Sequence, residues 1–219
     1  MSDVQQQRAG AIGLDSRRPV RMVCLDVDGT MLGASGTVRD AVWHAVEMAR
    51  RAGIQLTMCS GRPGFGVTRE LAHRVNATGW HCFQNGASIV RLHDGQSQSA
   101  VLDDDIIRRL VARARETNRL LELYTDTHYV TESETRVARV HAEVLGLPYA
   151  PQRYEALPPP IVRAQWIVPH HELNALVAEP HDGLEVSPAT GPALPEHVFV
   201  NLTRRGVDKG YALRVIAAE

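Results

Sequence analysis

Residues Val20 to Gly33 read VRMVCLDVDGTMLG. Val23, Leu25 and Val27 make the first half an apolar run, which predicts a short strand buried on both faces. The run ends in two carboxylates one residue apart, Asp26 and Asp28, followed by Gly29 and Thr30. In open α/β sheets ligands bind at the carboxyl ends of the strands, so charge placed there marks the edge to follow.

Outward from this stretch the pattern alternates. Val38 to Ala52 carries apolar residues at helical spacing, with Gly53 as its stop. Ile54 to Cys59 predicts a second strand, ending in Ser60-Gly61-Arg62. Gly66 to Asn76 predicts a helix, and Trp80 to Phe83 a third strand, ending in Gln84-Asn85-Gly86. Strand, helix, strand, helix, strand with short links predicts an α/β fold with a Rossmann-like, doubly wound parallel sheet. Three strand ends then bring Asp26, Ser60 and Asn85 to one edge.

Beyond residue 86 the rhythm changes. Ala87 to Leu92 and Ser97 to Leu102 predict a hairpin, and Asp103 to Asn118 a helix opened by three acidic residues, as the helix dipole favours. Leu120 to Tyr124 with His128 to Thr131 predicts another hairpin, and Thr131-x-x-Glu134 a capping box for a helix to Leu145. A strand over Val162 to Val168, a short helix over Glu172 to Ala178 and a strand over Leu184 to Ser187 follow. The Pro/Gly-rich run Ser187 to Pro195 reads as a hinge. His197 to Leu202 reads as a last strand and Asp208 to Ala218 as a last helix. The expected organisation is a disordered tail over 1–19, a first core segment over 20–86, an inserted α+β cap over 87–195, and a second core segment over 196–219.

Composition narrows the function. The 219 residues carry a net charge of -1, which offers no electrostatic case for nucleic acid or an anionic membrane, and no apolar run is long enough for a membrane helix. Cys24, Cys59 and Cys82 form no CxxC pair and read as buried small hydrophobes in a reducing, cytoplasmic setting. Among 24 Lys and Arg residues one is lysine, Lys209. A compact ammonium and a planar guanidinium are not interchangeable in a tight site, so Lys209 becomes a candidate site residue.

The Asp26/Asp28 pair allows three readings. A calcium loop fails, because position twelve counted from Asp26 is Thr37 rather than Glu. A polar turn needs Asp and Gly for backbone reasons only. A nucleophile beside a proton-handling carboxylate, with a divalent cation offsetting their repulsion, uses the spacing itself. The His170-His171 pair has no third ligand at a recognisable spacing and reads as a solvated helix start.

DVDGT at 26–30, CSGRP at 59–63 and VDKGYAL at 207–213 resemble, in order, the first three motifs of the haloacid dehalogenase superfamily of phosphohydrolases. QNGA at 84–87 and the large insert are similar to its Cof-type sugar-phosphatase branch with an α/β cap. The resemblance implies that Asp26 attacks phosphorus and binds Mg²⁺. It implies that Asp28 handles the proton and offers its carbonyl to the metal. It further implies that Gly29, Ser60 and Gly61 bind the phosphoryl group and that Lys209 neutralises it. Arg62 reads as a structural pairing residue or a substrate contact, and Asn85 as a turn residue or a substrate contact.

The sequence departs from the family in one respect. No GDxxND-like fourth motif, which would complete the Mg²⁺ site, follows Lys209. The reading is therefore a Mg²⁺-dependent phosphatase for a small phosphorylated metabolite, a sugar phosphate among the options. Its alternatives are a fragment or shortened non-catalytic relative with a sheet edge open to self-association, and a phosphotransferase or mutase.

Overall fold

The computed structural model describes residues 19–33 and 36–219. The expectation of a disordered tail falls, Pro19 apart, outside the described residues. The core starts with β1 (Met22–Leu25), α1 (Asp40–Arg51) and β2 (Gln55–Met58), with β1 and β2 parallel and Met22 opposite Gln55. Val42, Trp43, Val46 and Ala49 turn one stripe of α1 onto Leu56, Met58 and Phe83, the burial that fixes the helix against the sheet. α2 (Val67–Asn76) adds Ala72 and Val75 to the same cluster. Among the described residues β1 pairs with no strand other than β2.

β3 (Trp80–Phe83) lies beside β2 as expected, but with a histidine wedged between the two strands. A parallel bridge joins Cys59 to Cys82, while Met58 N–H donates to His81 Nδ1 at 3.0 Å and Thr57 Oγ1 to the Trp80 carbonyl at 2.7 Å. With Nδ1 accepting, His81 Nε2 donates to the Asn76 carbonyl at 2.8 Å, which defines a neutral ring. Burial pushes its pKa down to about 4.

β4 (Ser88–Arg91) turns back antiparallel on β3, with Trp80 opposite Arg91, and Ile89 packs with Cys59, Cys82 and Ala212. The sequence reading started the cap at 87; the packing of Ile89 keeps this strand with the core. Its expected hairpin partner runs alongside without forming a regular strand, through Gln98 N–H to the Ile89 carbonyl (2.9 Å) and Ala100 N–H to the Ala87 carbonyl (2.8 Å).

The cap is built on α3 (Asp104–Thr117), β5 (Leu120–Tyr124), β6 (Tyr129–Val130), α4 (Arg136–Leu145), β7 (Arg163–Pro169), α5 (Leu173–Val177), β8 (Leu184–Ala189) and β9 (His197–Arg204). Its antiparallel sheet has the order β6-β5-β7-β9-β8. Here two readings of the sequence are corrected. β9 pairs with β7 (Ala164 opposite Leu202) and with β8, so it is a cap strand rather than the start of the second core segment. Ser187 to Ala189 belongs to β8, and the run 190–196 is the connection between two hydrogen-bonded neighbours, not a hinge between domains. An apolar strand with both faces covered gives no sign of which sheet it joins.

The capping box is also displaced. Thr131 is buried with its hydroxyl on the Leu121 carbonyl (2.8 Å), and Thr135 Oγ1 takes the Ala138 N–H at 3.3 Å as the cap of α4.

α6 (Lys209–Ile216) closes the core with Ala212 and Ile216 against Trp80, Cys82 and Ile89. Asp208 caps it, its Oδ1 accepting from Tyr211 N–H at 2.6 Å. Where α6 begins it meets Gly86, whose φ is +103°. A Cβ there would lie 2.1 Å from the Asp208 carbonyl oxygen and 3.1 Å from Lys209 N. Gly86→Ala is expected to destabilise the fold by about 2–4 kcal/mol, combining a positive φ with a backbone clash. Urea unfolding reads that loss, and an unchanged midpoint refutes the tight approach.

Candidate active site

The residue between the two carboxylates, Val27, is fully buried and anchors the loop: its carbonyl accepts from Met31 N–H (3.1 Å) and Leu32 N–H (2.8 Å). The chain therefore turns tightly after β1, and Gly29, with φ +75°, supplies the left-handed position in that turn. Asp26 and Asp28 project from it toward solvent, 45% and 58% exposed.

Lys209, at the start of α6, reaches back across the sheet edge. Its Nζ donates to Asp26 Oδ1 at 2.9 Å, over a separation of 183 residues. Partial burial works against its charge, but the bond to Asp26 and the charge of that carboxylate outweigh it and hold the Lys209 pKa above the ordinary lysine value.

Asp28 is held from the other side. Arg62 forks its carboxylate, with Nε 3.0 Å from Oδ2 and Nη2 2.7 Å from Oδ1. Arg62 thus has the structural pairing that the sequence reading allowed, and it also lines the cleft. Ser60 is fully buried, and its Oγ accepts from Arg62 N–H at 3.1 Å, which leaves the hydroxyl proton free to donate.

Asn85 sits at φ +57°, its N–H bonded to the Ser60 carbonyl at 3.1 Å and its side chain against Gly61, where a Cβ would come 2.9 Å from Asn85 Oδ1. It is a turn residue and a cleft residue at once. Asp26, Asp28, Gly61, Arg62, Asn85 and Lys209 all line one cleft of about 430 Å³ between core and cap. Gly29 and Ser60 are not among its lining residues.

The sequence reading missed the opposite wall. His141, Arg163, Gln165, Phe199 and Asn201 line the cleft from the cap, together with the β8–β9 connection at 190–193. Arg163 is 3% exposed, and its Nη1 crosses to the core, donating to the Gly61 carbonyl at 2.9 Å and to Asn201 Oδ1 at 3.1 Å. Burial lowers its pKa, while the neighbouring Tyr124, whose ring lies 4.0 Å beneath the guanidinium, and Glu122 favour the charge. A signal was available: in Arg163-Ala164-Gln165-Trp166 polar and apolar residues alternate with period two, so one face of that strand has to meet polar surroundings.

A model of haloacid dehalogenase-like hydrolases matches residues 23–175. The chain belongs to this family. A relative from Streptococcus pyogenes serotype M6, named as a candidate phosphatase, is 28% identical over 93 residues, 42% of this chain. The match covers 32% of that relative, so the chain spans about a third of its length. A haloacid dehalogenase-like hydrolase structure from Bacteroides thetaiotaomicron superposes with a TM-score of 0.75 at 18% identity, over 91% of this chain and 77% of that one. The subclass IIB sugar phosphatase BT4131 superposes with a TM-score of 0.73 at 14% identity, over 90% of this chain and 75% of that one. At such identities the likeness is one of fold: a haloacid dehalogenase-like core carrying an inserted cap, as the sequence motifs implied.

The donor set of this haloacid dehalogenase-like site suits a hard cation. Lys209 meets Asp26 at Oδ1, which leaves the other carboxylate oxygen for a cation, and the Asp28 carbonyl is the second oxygen that the resemblance would assign to it. Mg²⁺ binds through one or two such oxygens and retains several waters. Among the described residues no group of three or more His, Cys, Asp or Glu side chains is placed to hold a metal. Nor is any helix among them long and apolar enough to cross a membrane.

Proposed function

We propose that the chain carries the active site of a Mg²⁺-dependent phosphatase acting on small phosphorylated metabolites, sugar phosphates foremost, through an aspartyl-phosphate on Asp26. The observation that carries this reading is Lys209 Nζ at 2.9 Å from Asp26 Oδ1, with Asp28 two residues on, facing a cleft of metabolite size. An amine locked to one carboxylate oxygen directs the other toward a phosphorus held in the cleft.

In the first half-reaction an Asp26 oxygen attacks phosphorus in line, the ester P–O bond breaks, and Asp28 gives its proton to the departing alkoxide. In the second, water attacks the aspartyl-phosphate, Asp28 takes the water's proton, and Asp26 leaves as a carboxylate. For the first step the Arg62 fork has to release Asp28, because the guanidinium occupies both carboxylate oxygens that would otherwise carry the proton to the leaving group. Lys209, the Ser60 hydroxyl and the Gly61 N–H neutralise charge on the phosphoryl oxygens, where most of the catalysis of phosphoryl transfer lies, whereas the Gly29 N–H expected to join them is committed to the Leu32 carbonyl at 2.9 Å. Mg²⁺ held by the Asp26 carboxylate and the Asp28 carbonyl would offset the repulsion between the nucleophile and the anionic phosphate.

Phosphate release from p-nitrophenyl phosphate and from hexose 6-phosphates, with Mg²⁺ and with a chelator, tests the proposal. Hydrolysis that requires Mg²⁺ is expected. Equal rates in the chelator, or no hydrolysis of any monoester with Mg²⁺ present, would overturn it.

A further inference from the structure

The cap sheet turns two unlike faces outward. Leu121, Leu123, Ala164, Trp166, Val200 and Leu202 face the apolar cluster under α3. On the alternate positions Glu122, Gln165 and Asn201 stand in register across β5, β7 and β9, and form a polar stripe above the cleft. Glu122 is fully buried. Burying an ionised carboxylate costs several kcal/mol unless donors surround it, so a position like this calls for a reason.

Three donors converge on Glu122. Tyr124 Oη and Gln165 Nε2 (3.1 Å) serve Oε2, and His141 Nδ1 (2.9 Å) serves Oε1. The last of these fixes the imidazole. With Nδ1 turned to that carboxylate, Nε2 is the ring nitrogen left for the cleft. Phe199, with its ring centroid 5.0 Å from that of His141, sets the tilt of the ring. Among the described residues Nε2 has no hydrogen-bond partner, and His141 lines the cleft opposite Asp26 and Lys209.

Holding α4 on the sheet does not require this network, because Leu120, Ala138 and Ile167 already form an apolar contact there. Buried ionic groups that serve packing alone can be exchanged for apolar ones at little or no loss.

We propose that His141, set by Glu122, is the cap residue that recognises the substrate's leaving group, by accepting a hydrogen bond at Nε2 from one of its hydroxyls. The proposal rests on the phosphatase reading above. The wall suits a neutral, hydroxylated leaving group, since Arg163, the cation there, is only 3% exposed, with Nη1 on Gly61 and Asn201. Glu122 acts as a positioning residue.

Glucose 6-phosphate serves as the hydroxylated probe and p-nitrophenyl phosphate as the probe without hydroxyls. His141→Asn keeps an amide at Glu122 but stops short of the cleft; His141→Gln places an amide near the position of Nε2. His141→Asn is expected to lower kcat/KM for the sugar phosphate about tenfold more than for the aryl phosphate, the loss of one hydrogen bond, mainly through KM. His141→Gln should recover part of the difference, and Glu122→Gln should show the same bias as the Asn variant. Equal losses on both probes would overturn the proposal, and so would no loss on either.

A second measurement needs no turnover. In the unmodified protein with ¹⁵N-labelled histidine, the His141 Nε2 resonance should move on adding glucose 6-phosphate and stay in place on adding inorganic phosphate. Movement with both ligands, or with neither, counts against it. Failure of the phosphatase reading shows separately, as an Asp26→Asn protein that still hydrolyses p-nitrophenyl phosphate at full rate.

Discussion

Asp26→Asn is expected to lower kcat for p-nitrophenyl phosphate by roughly 10⁴–10⁶, the scale of loss when a nucleophile or its activating partner is removed. The amide keeps the size and hydrogen-bonding reach of the carboxylate but cannot form the covalent phosphate ester. Little else should change. Asp26 is 45% exposed and ends a strand, its neighbour Val27 carries the packing of the loop, and an ion pair this exposed contributes only about 0–1 kcal/mol. The thermal midpoint should therefore stay close to that of the unmodified chain. KM should also change little, because Ser60 and Gly61, the donors proposed for the phosphate, are untouched. The decisive comparison is with Asp28→Asn. If that protein lost all activity while Asp26→Asn kept a tenth or more, the nucleophile and the proton-handling group would have to be exchanged.

That much could be read from the sequence because it depends on strand ends. A run such as Val20 to Leu25 can only be a strand in this context, and the carboxylates after it inherit their place from the sheet. Lys209 stood out through a choice of residue type, and the structure joins it to Asp26 over 183 residues. The cap was harder to read for a physical reason. Its sheet is antiparallel, so neighbours in space are set by hydrogen-bonded register, and an apolar strand such as β9 fits the core and the cap sheet equally well. The polar wall of the cleft went unread because Glu122, Arg163 and Gln165 each lie singly within an apolar run. Period-two alternation relates Arg163 to Gln165 within β7, but only cross-strand registry brings Glu122 to them, with Glu122 opposite Gln165 and Tyr124 opposite Arg163. His141, on α4, joins them only through the packing of that helix on the sheet.

Replacing the one lysine separates charge from geometry. Lys209→Met is expected to lower kcat by about 10²–10³, the usual cost of removing one preorganised group that meets charge in the transition state. Lys209→Arg should recover little of that loss despite restoring the charge. The ammonium meets Asp26 Oδ1 as a point at 2.9 Å, whereas a guanidinium presents a planar fork that would span both carboxylate oxygens and cover the one that attacks. Both proteins should fold normally, since the pair is 39% and 45% exposed and Asp208 still caps α6. Their deficits should also be independent of pH from about pH 6 to 9, because the raised lysine pKa keeps the ammonium charged throughout. For a cation whose folded pKa is raised, whatever the pair adds to stability is complete below the unfolded value near 10.4 and is lost only as pH rises through the folded one. A Lys209→Arg protein with nearly full kcat would show that net charge, rather than the geometry of a single ammonium, is what the site requires. In that case the single lysine in a chain of arginines would carry no catalytic meaning.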